Sequence, residues 1–142
     1  MTTHTSTPRA VGVIGLGAMG LGMAGSLRRA GHHVNVCDVR YEAAENFIKE
    51  GGTAFKTPAE LAQASDIIVS VVVNADQTEQ VLFGPNGAAA HMKKGALFIM
   101  CSTVDPNWSV TLEKRLNDIG LLYLDAPISG GAAKAASGQM TM

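Results

Sequence analysis

The run Gly15-Leu16-Gly17-Ala18-Met19-Gly20 lies between a short apolar segment, Val11 to Ile14, and a stretch from Met19 to Ala30 that reads as a helix. A glycine-rich turn between strand and helix lets the backbone approach a pyrophosphate. It also aims the free N–H groups of the helix start at that anion. Gly15 permits the tight turn, Gly17 leaves room for the phosphates, and Gly20 is expected to let the helix press against the strand. An acidic residue about 20 positions further on, at the end of the second strand, accepts the ribose hydroxyls of an adenosine. Asp38, which closes the apolar run at Cys37-Asp38, stands where that role requires it. Glycine-rich turns alone are common; strand, turn, helix and carboxylate together predict a dinucleotide site.

Composition narrows the class. The chain has 142 residues, a formal net charge of −1 and 46% hydrophobic residues, as expected for one globular domain. No basic patch or arginine-rich stretch points to nucleic acid. The most apolar stretch, Ile67 to Val73, is far shorter than the roughly 20 residues of a membrane span. Met1 to Pro8 is threonine-rich without an apolar centre, so residues 1–8 are expected to be a disordered tail and not a signal peptide, with the domain occupying residues 9–142. Two cysteines without metal-ligand spacing suit a reducing compartment, and the cytoplasm is the expected location.

Short apolar runs alternate with helical patterns. Val34–Val36, Ile67–Val73, Ala96–Met100 and Leu121–Leu124 read as buried parallel strands, and Thr53–Phe55 as a weaker one. Thr57-Pro58-Ala59-Glu60 is a capping box with proline at the first helical position, and Asp105-Pro106 offers a second cap. Trp108, Leu112, Leu116 and Ile119 share one helical face. Tyr41 to Glu50 is a further helix, with Ala43, Ala44, Phe47 and Ile48 inward and Gly51 ending it. The pattern predicts an α/β fold, a doubly wound, mostly parallel Rossmann sheet with helices on both faces. The first helix carries Gly20, Gly22 and Gly25, each costing about 1 kcal/mol relative to alanine. Close approach to the sheet and the cofactor is the expected compensation.

Ligands of such sheets lie outside the carboxyl ends of the strands. Val73 and Asn74, after the fourth strand, are expected to line the cofactor cleft. The hydroxyls of Ser102 and Thr103, after the fifth, either hold the nicotinamide ribose or cap a turn before the Asp105 helix. Ser129-Gly130-Gly131 presents one hydroxyl and unhindered backbone N–H groups, either a carboxylate clamp or an ordinary strand-to-helix turn. Asp38 favours NAD over NADP, because a carboxylate repels a 2′-phosphate, although Arg40 offers that phosphate a partner. His32 and His33 sit at the opposite end of the strands, His91 precedes Lys93-Lys94 in a loop, and Cys101 reads as an inert buried thiol beside the cleft.

Taken together, Gly15 to Gly20 with Met23, Gly31-His32, Asp38, Ser102-Thr103 and Asp125-Ala126-Pro127-Ile128-Ser129-Gly130-Gly131 resemble the β-hydroxyacid dehydrogenase family. That family includes 3-hydroxyisobutyrate dehydrogenase, tartronate semialdehyde reductase and, more distantly, 6-phosphogluconate dehydrogenase. Val73-Asn74-Ala75, Gln77-Thr78-Glu79 and Leu121 to Asp125 look most like its L-threonate dehydrogenase branch. The resemblance implies that Gly15, Leu16, Gly17, Ala18, Met19, Gly20 and Asp38 hold NAD. It further implies that Thr103 touches the nicotinamide end, and that Ser129, Gly130 and Gly131 grip the carboxylate of a small hydroxyacid. A homo-oligomer is implied for the full-length enzyme. The family's acid–base lysine, followed four residues later by an asparagine, lies beyond the matched glycines. Lys134 does not match its position, so no catalytic residue is assigned within the chain. The resemblance therefore implies a cofactor domain truncated before a helical C-terminal domain, inside a final strand that would begin near Gln139. Two alternatives are a stand-alone dinucleotide-binding module and an imine reductase-like enzyme. The Asp-Ala-Pro-Ile-Ser-Gly-Gly run argues against the second, because it suits a carboxylate substrate.

Overall fold

A computed structural model describes residues 7–142. Most of the tail expected at residues 1–8 therefore lies outside the described residues. The strands are β1 (Ala10–Ile14), β2 (His33–Cys37), β3 (Thr53–Ala54), β4 (Ile67–Ser70), β5 (Leu97–Met100) and β6 (Leu122–Asp125). They form one six-stranded sheet in the order β3-β2-β1-β4-β5-β6, and every neighbouring pair is parallel. The order reverses between β1 and β4, which opens a crevice at their carboxyl ends.

The helices are α1 (Ala18–Arg29), α2 (Tyr41–Phe47), α3 (Pro58–Gln63), α4 (Ala75–Phe83), α5 (Pro106–Asp118) and α6 (Gly131–Ser137). Strand alternation divides them between two cores. Val11, Val13, Val34, Val36 and Val69 pack with Met23, Ala24, Ala44, Phe47 and Ala135, so α1, α2 and α6 cover one face. Ile14, Cys37, Ile68, Phe98 and Met100 pack with Leu61, Leu82, Leu112 and Leu116, so α3, α4 and α5 cover the other. The doubly wound Rossmann architecture expected from the sequence is the one present.

Several boundaries differ from expectation for local reasons. The fourth apolar run stops pairing at Ser70, and Val73 is 77% exposed because Val71–Val73 leave the sheet to line the crevice. After Phe47 the second helix tightens into a 3-10 turn, Ile48–Glu50, that ends on left-handed Gly51. That tightening carries Ile48 out to 48% exposure, so it does not face inward. Ile119 is likewise exposed, being the residue that closes α5. Thr57 Oγ1 caps α3 by accepting the Glu60 N–H at 3.2 Å, as the capping box predicts. In place of the strand expected from Gln139, an isolated antiparallel bridge joins Ser129 and Thr141.

The sixth apolar run differs most. Leu121 is buried, but β6 itself is an edge strand in which Leu122 is 56% and Leu124 48% exposed. An unpaired edge with apolar side chains is a template for another strand. Sedimentation at high concentration is therefore expected to show species larger than the monomer. Leu122→Lys combined with Leu124→Lys should restore the monomer; a wild-type chain that stays monomeric contradicts this.

Candidate functional site

The crevice at the strand switch is a cleft of about 800 Å³ whose lining includes Gly15, Gly17, Asp38, Val73 and Gln77. Gly15 adopts φ +97°, and a β-carbon there would stand 2.4 Å from the Val71 carbonyl oxygen. Only glycine allows this turn. Gly20 permits the close approach at the strand ends. Its β-carbon would meet the Gly15 carbonyl oxygen at 1.8 Å and stand 3.4 Å from the Val71 β-carbon, so α1 presses chiefly on the turn that follows β1. Around Gly17 the corresponding space is open. Gly17 and Ala18 are exposed at the mouth of α1, whereas the Leu16 side chain is buried.

The start of α1 carries no side-chain cap and no acidic residue in its first turn. By contrast α3, α4 and α5 are capped by Thr57, Asn74 and Asp105. The first N–H groups of a helix have no partner within it. Those of α1 thus remain available to an anion at the open space beside Gly17, which is the fit a pyrophosphate requires.

Asp38 stands at the carboxyl end of β2 with its side chain 9% exposed. Its Oδ2 accepts the Leu16 N–H at 2.7 Å and its Oδ1 accepts the Arg40 N–H at 2.8 Å. The Arg40 guanidinium Nε lies 3.5 Å from Oδ1. Cys37, which also lines the cleft, is held as a neutral thiol: burial, then the charge of Asp38, pushes it up to about 11. Burial alone raises Cys101 to about 11, in agreement with its reading as an inert thiol. Both are free cysteines.

The opposite wall is the turn into α4. Asn74 Oδ1 accepts the Gln77 N–H, and Gln77 Oε1 accepts the Val73 N–H, both at 2.9 Å. Asn74 is thus a helix cap, and Val73 presents an exposed apolar surface to the cleft. Asn74-x-x-Gln77 is a capping-box spacing, so Gln77 was findable from sequence. Arg115 makes two 2.8 Å bonds to Glu79 and stacks 4.0 Å from the Phe83 ring centroid, which fastens α4 to α5. The cleft also receives Val39, fully exposed after Asp38, and Lys56, which follows β3. Lys56 does not stand out in sequence, because only the strand order brings β3 beside β2.

The remaining expected residues lie toward the other edge. Ser102 is buried and donates to the Val72 carbonyl oxygen at 2.6 Å, tying the ends of β4 and β5 together. Thr103 is exposed in the loop before α5 and is not part of the cleft lining. Ser129, Gly130 and Gly131 form the exposed turn into α6, with φ +128° at Gly130 and +77° at Gly131. Lys134 is exposed on α6. His32 Nδ1 accepts the Arg9 N–H at 3.1 Å, and His91 Nδ1 lies 3.1 Å from Gln63 Nε2, both away from the cleft. Among the described residues no helix is long and apolar enough to cross a membrane, and no His/Cys/Asp/Glu group is arranged to hold a metal.

Residues 10–142 match the family described as the NAD binding domain of 6-phosphogluconate dehydrogenase. The chain belongs to this family. Among curated relatives, it is 56% identical over 134 residues to the L-threonate dehydrogenase of Cupriavidus necator, covering 94% of this chain and 45% of that protein. It is 37% identical to the mitochondrial 3-hydroxyisobutyrate dehydrogenase of Mus musculus, covering 92% of this chain and 39% of that protein. A crystal structure of 3-hydroxyisobutyrate dehydrogenase from Salmonella typhimurium superposes with a TM-score of 0.89 at 41% identity, covering 94% of this chain and 46% of that one. The chain thus spans less than half the length of each of these relatives. The glycine turn and Asp38 belong to an NAD-binding domain, as their sequence context predicted.

The two buried thiols give this domain a pH signature. Their folded-state values lie above those of exposed cysteines, so the folded protein retains protons that the unfolded chain releases as pH rises past about 8.5. Stability is therefore full below that pH and is lost progressively toward about 11. Urea unfolding at pH 8 and pH 10.5 should show the decline, and Cys37→Ser with Cys101→Ser should flatten it.

Proposed function

We propose that this domain holds NAD for a dehydrogenase that oxidises a small hydroxycarboxylate of the L-threonate or 3-hydroxyisobutyrate type. The observation that carries the cofactor half of this reading is the uncapped start of α1 beside open space at Gly17, with Asp38 at the end of the adjacent strand. In this reading Gly15 to Gly20 surround the pyrophosphate, and the first N–H groups of α1 stabilise its charge. Asp38 receives the adenosine ribose. Val73 covers one side of the nucleotide, and Asn74 holds the turn that places it there. When bound, NAD supplies the hydride acceptor. NAD is preferred to NADP because a 2′-phosphate would meet the Asp38 carboxylate, while Arg40 is already drawn to that carboxylate.

The substrate half rests on the resemblance and the named relatives. Thr103 is assigned to the nicotinamide end, and Ser129, Gly130 and Gly131 to the substrate carboxylate, with backbone N–H groups and one hydroxyl as donors. A proton must leave the substrate hydroxyl as the hydride departs, which requires a general base. Lys56 follows β3, at the opposite sheet edge from the turn after β6, and the Lys134 side chain is exposed. By the family resemblance, we place the acid–base lysine outside these 142 residues. The full-length enzyme is proposed to be a homo-oligomer working in the cytoplasm, where the two buried cysteines stay reduced.

Calorimetry of the 142-residue chain is expected to show micromolar NAD binding with weaker NADP binding, and spectrophotometry to show no NADH formation from L-threonate or 3-hydroxyisobutyrate. Absence of NAD binding, or substantial turnover, contradicts the reading. Two glycine variants probe the cradle. Gly17→Ala should leave stability within about 1 kcal/mol while weakening NAD binding, because its methyl group enters only the open space. Gly20→Ala should cost about 1–3 kcal/mol in urea unfolding, because its methyl group meets the Gly15 carbonyl.

A further inference from the structure

We propose that Asp38 is the positioning residue of the glycine turn, in addition to its role at the ribose. The inference rests on the nucleotide-binding reading of the cleft and extends it to the phosphate end. Two consecutive amides of the turn are held by the last residue of β2 and the residue after it. The Gly15 N–H donates to the Cys37 carbonyl oxygen at 3.0 Å, and the Leu16 N–H donates to Asp38 Oδ2 at 2.7 Å. The second bond spans 22 residues of sequence and joins the turn to the strand that ends beneath the ribose. With Leu16 N–H engaged by protein, the amides directed at an anion are those further on, at Gly17 and the first turn of α1. The buried Leu16 side chain anchors the same residue from below.

A carboxylate has about four lone-pair positions. Leu16 N–H and Arg40 N–H take one on each oxygen, so acceptor positions remain for ribose hydroxyls. The same group thereby links the adenosine end of the cleft to the phosphate cradle. Removing it affects phosphate binding even for a ligand without ribose hydroxyls, which a residue serving only as ribose acceptor would not do.

The test titrates ADP and 2′,3′-dideoxyadenosine diphosphate into wild type, Asp38→Asn and Asp38→Ala, with melting curves alongside. Both variants remove a negative charge near an anion, so comparing them with each other isolates the acceptor atom. Asparagine keeps one acceptor oxygen for the two N–H groups that Asp38 serves, and slow Leu16 amide exchange in Asp38→Asn identifies that oxygen as facing the turn; alanine offers no acceptor. Asp38→Ala is expected to bind the dideoxy nucleotide about tenfold more weakly than Asp38→Asn, because an unmade hydrogen bond leaves the turn free to shift. Equal affinities overturn the proposal.

Amide hydrogen exchange supplies a ligand-free readout. The Leu16 amide of the wild type should exchange at least about tenfold more slowly than those of Ala18 and Met19, which have no partner within the helix. Equal exchange overturns the proposal even where Asp38→Ala does not fold. If wild type binds neither nucleotide, the functional reading fails, and the Leu16 exchange rate still decides whether Asp38 holds the turn.

Discussion

At the head of α1, the Gly20 backbone lies against the Gly15 carbonyl, and Gly15 in turn lies under the Val71 carbonyl at the end of β4. This stack of three backbones, with no side chain between them, sets how close the helix can come to the sheet. Its other side is tied down by Gly15 N–H to Cys37 and Leu16 N–H to Asp38, which belong to β2 and the residue after it. The turn is therefore held between β2 and β4, the two neighbours of β1 in the sheet. Because strand order reverses at β1, those neighbours diverge above it and leave the cleft open. A helix start fixed in this position presents its unpartnered N–H groups to the cleft without rearrangement.

What the sequence made legible followed from local periodicity and turn chemistry. Strand alternation in Val11, Val13, Val34 and Val36, and the helical spacing of Leu112 and Leu116, identify core faces without tertiary information. Asp38 was legible because its spacing from the glycine turn is set by one helix and one strand. Where expectation and structure differ, the deciding fact is tertiary. Leu122 and Leu124 have the composition of a central strand, but composition carries no record of strand order, and β6 lies at the edge. Val73 reads as the end of a strand, yet the cleft draws it out of the sheet. Ser102, read as either a ribose contact or a cap, instead bonds to Val72 across 30 residues, a pairing that no local window contains.

The glycines of α1 show how a local cost resolves in three dimensions. Several glycines in one helix disfavour it, and approach to the sheet and cofactor was the expected compensation. Gly20 follows that expectation in part, through the turn. Gly22 does not: a β-carbon there would stand 2.7 Å from the Ala136 nitrogen, so it is α6 that lies against this position. Gly138 at the end of α6 approaches Ser26 of α1, and the Arg29 guanidinium donates to the Ala136 carbonyl. With the Ala135 β-carbon only 3.1 Å from the same Gly22 position, the two helices meet backbone to backbone.

That contact has a consequence for the turn of Ser129, Gly130 and Gly131. The turn follows an edge strand, and an edge strand alone would place it loosely. It leads directly into α6, however, and α6 is seated on the helix whose start faces the cleft. A displacement of α1 toward or away from the cleft would carry α6 and its leading turn with it. The small residues of α1 thus serve two contacts on one rigid element: Gly20 sets the distance from the glycine turn, and Gly22 sets the distance from α6. Bulk at either position would separate groups that lie far apart in sequence, which is why a helix with poor intrinsic propensity is retained at the centre of the site.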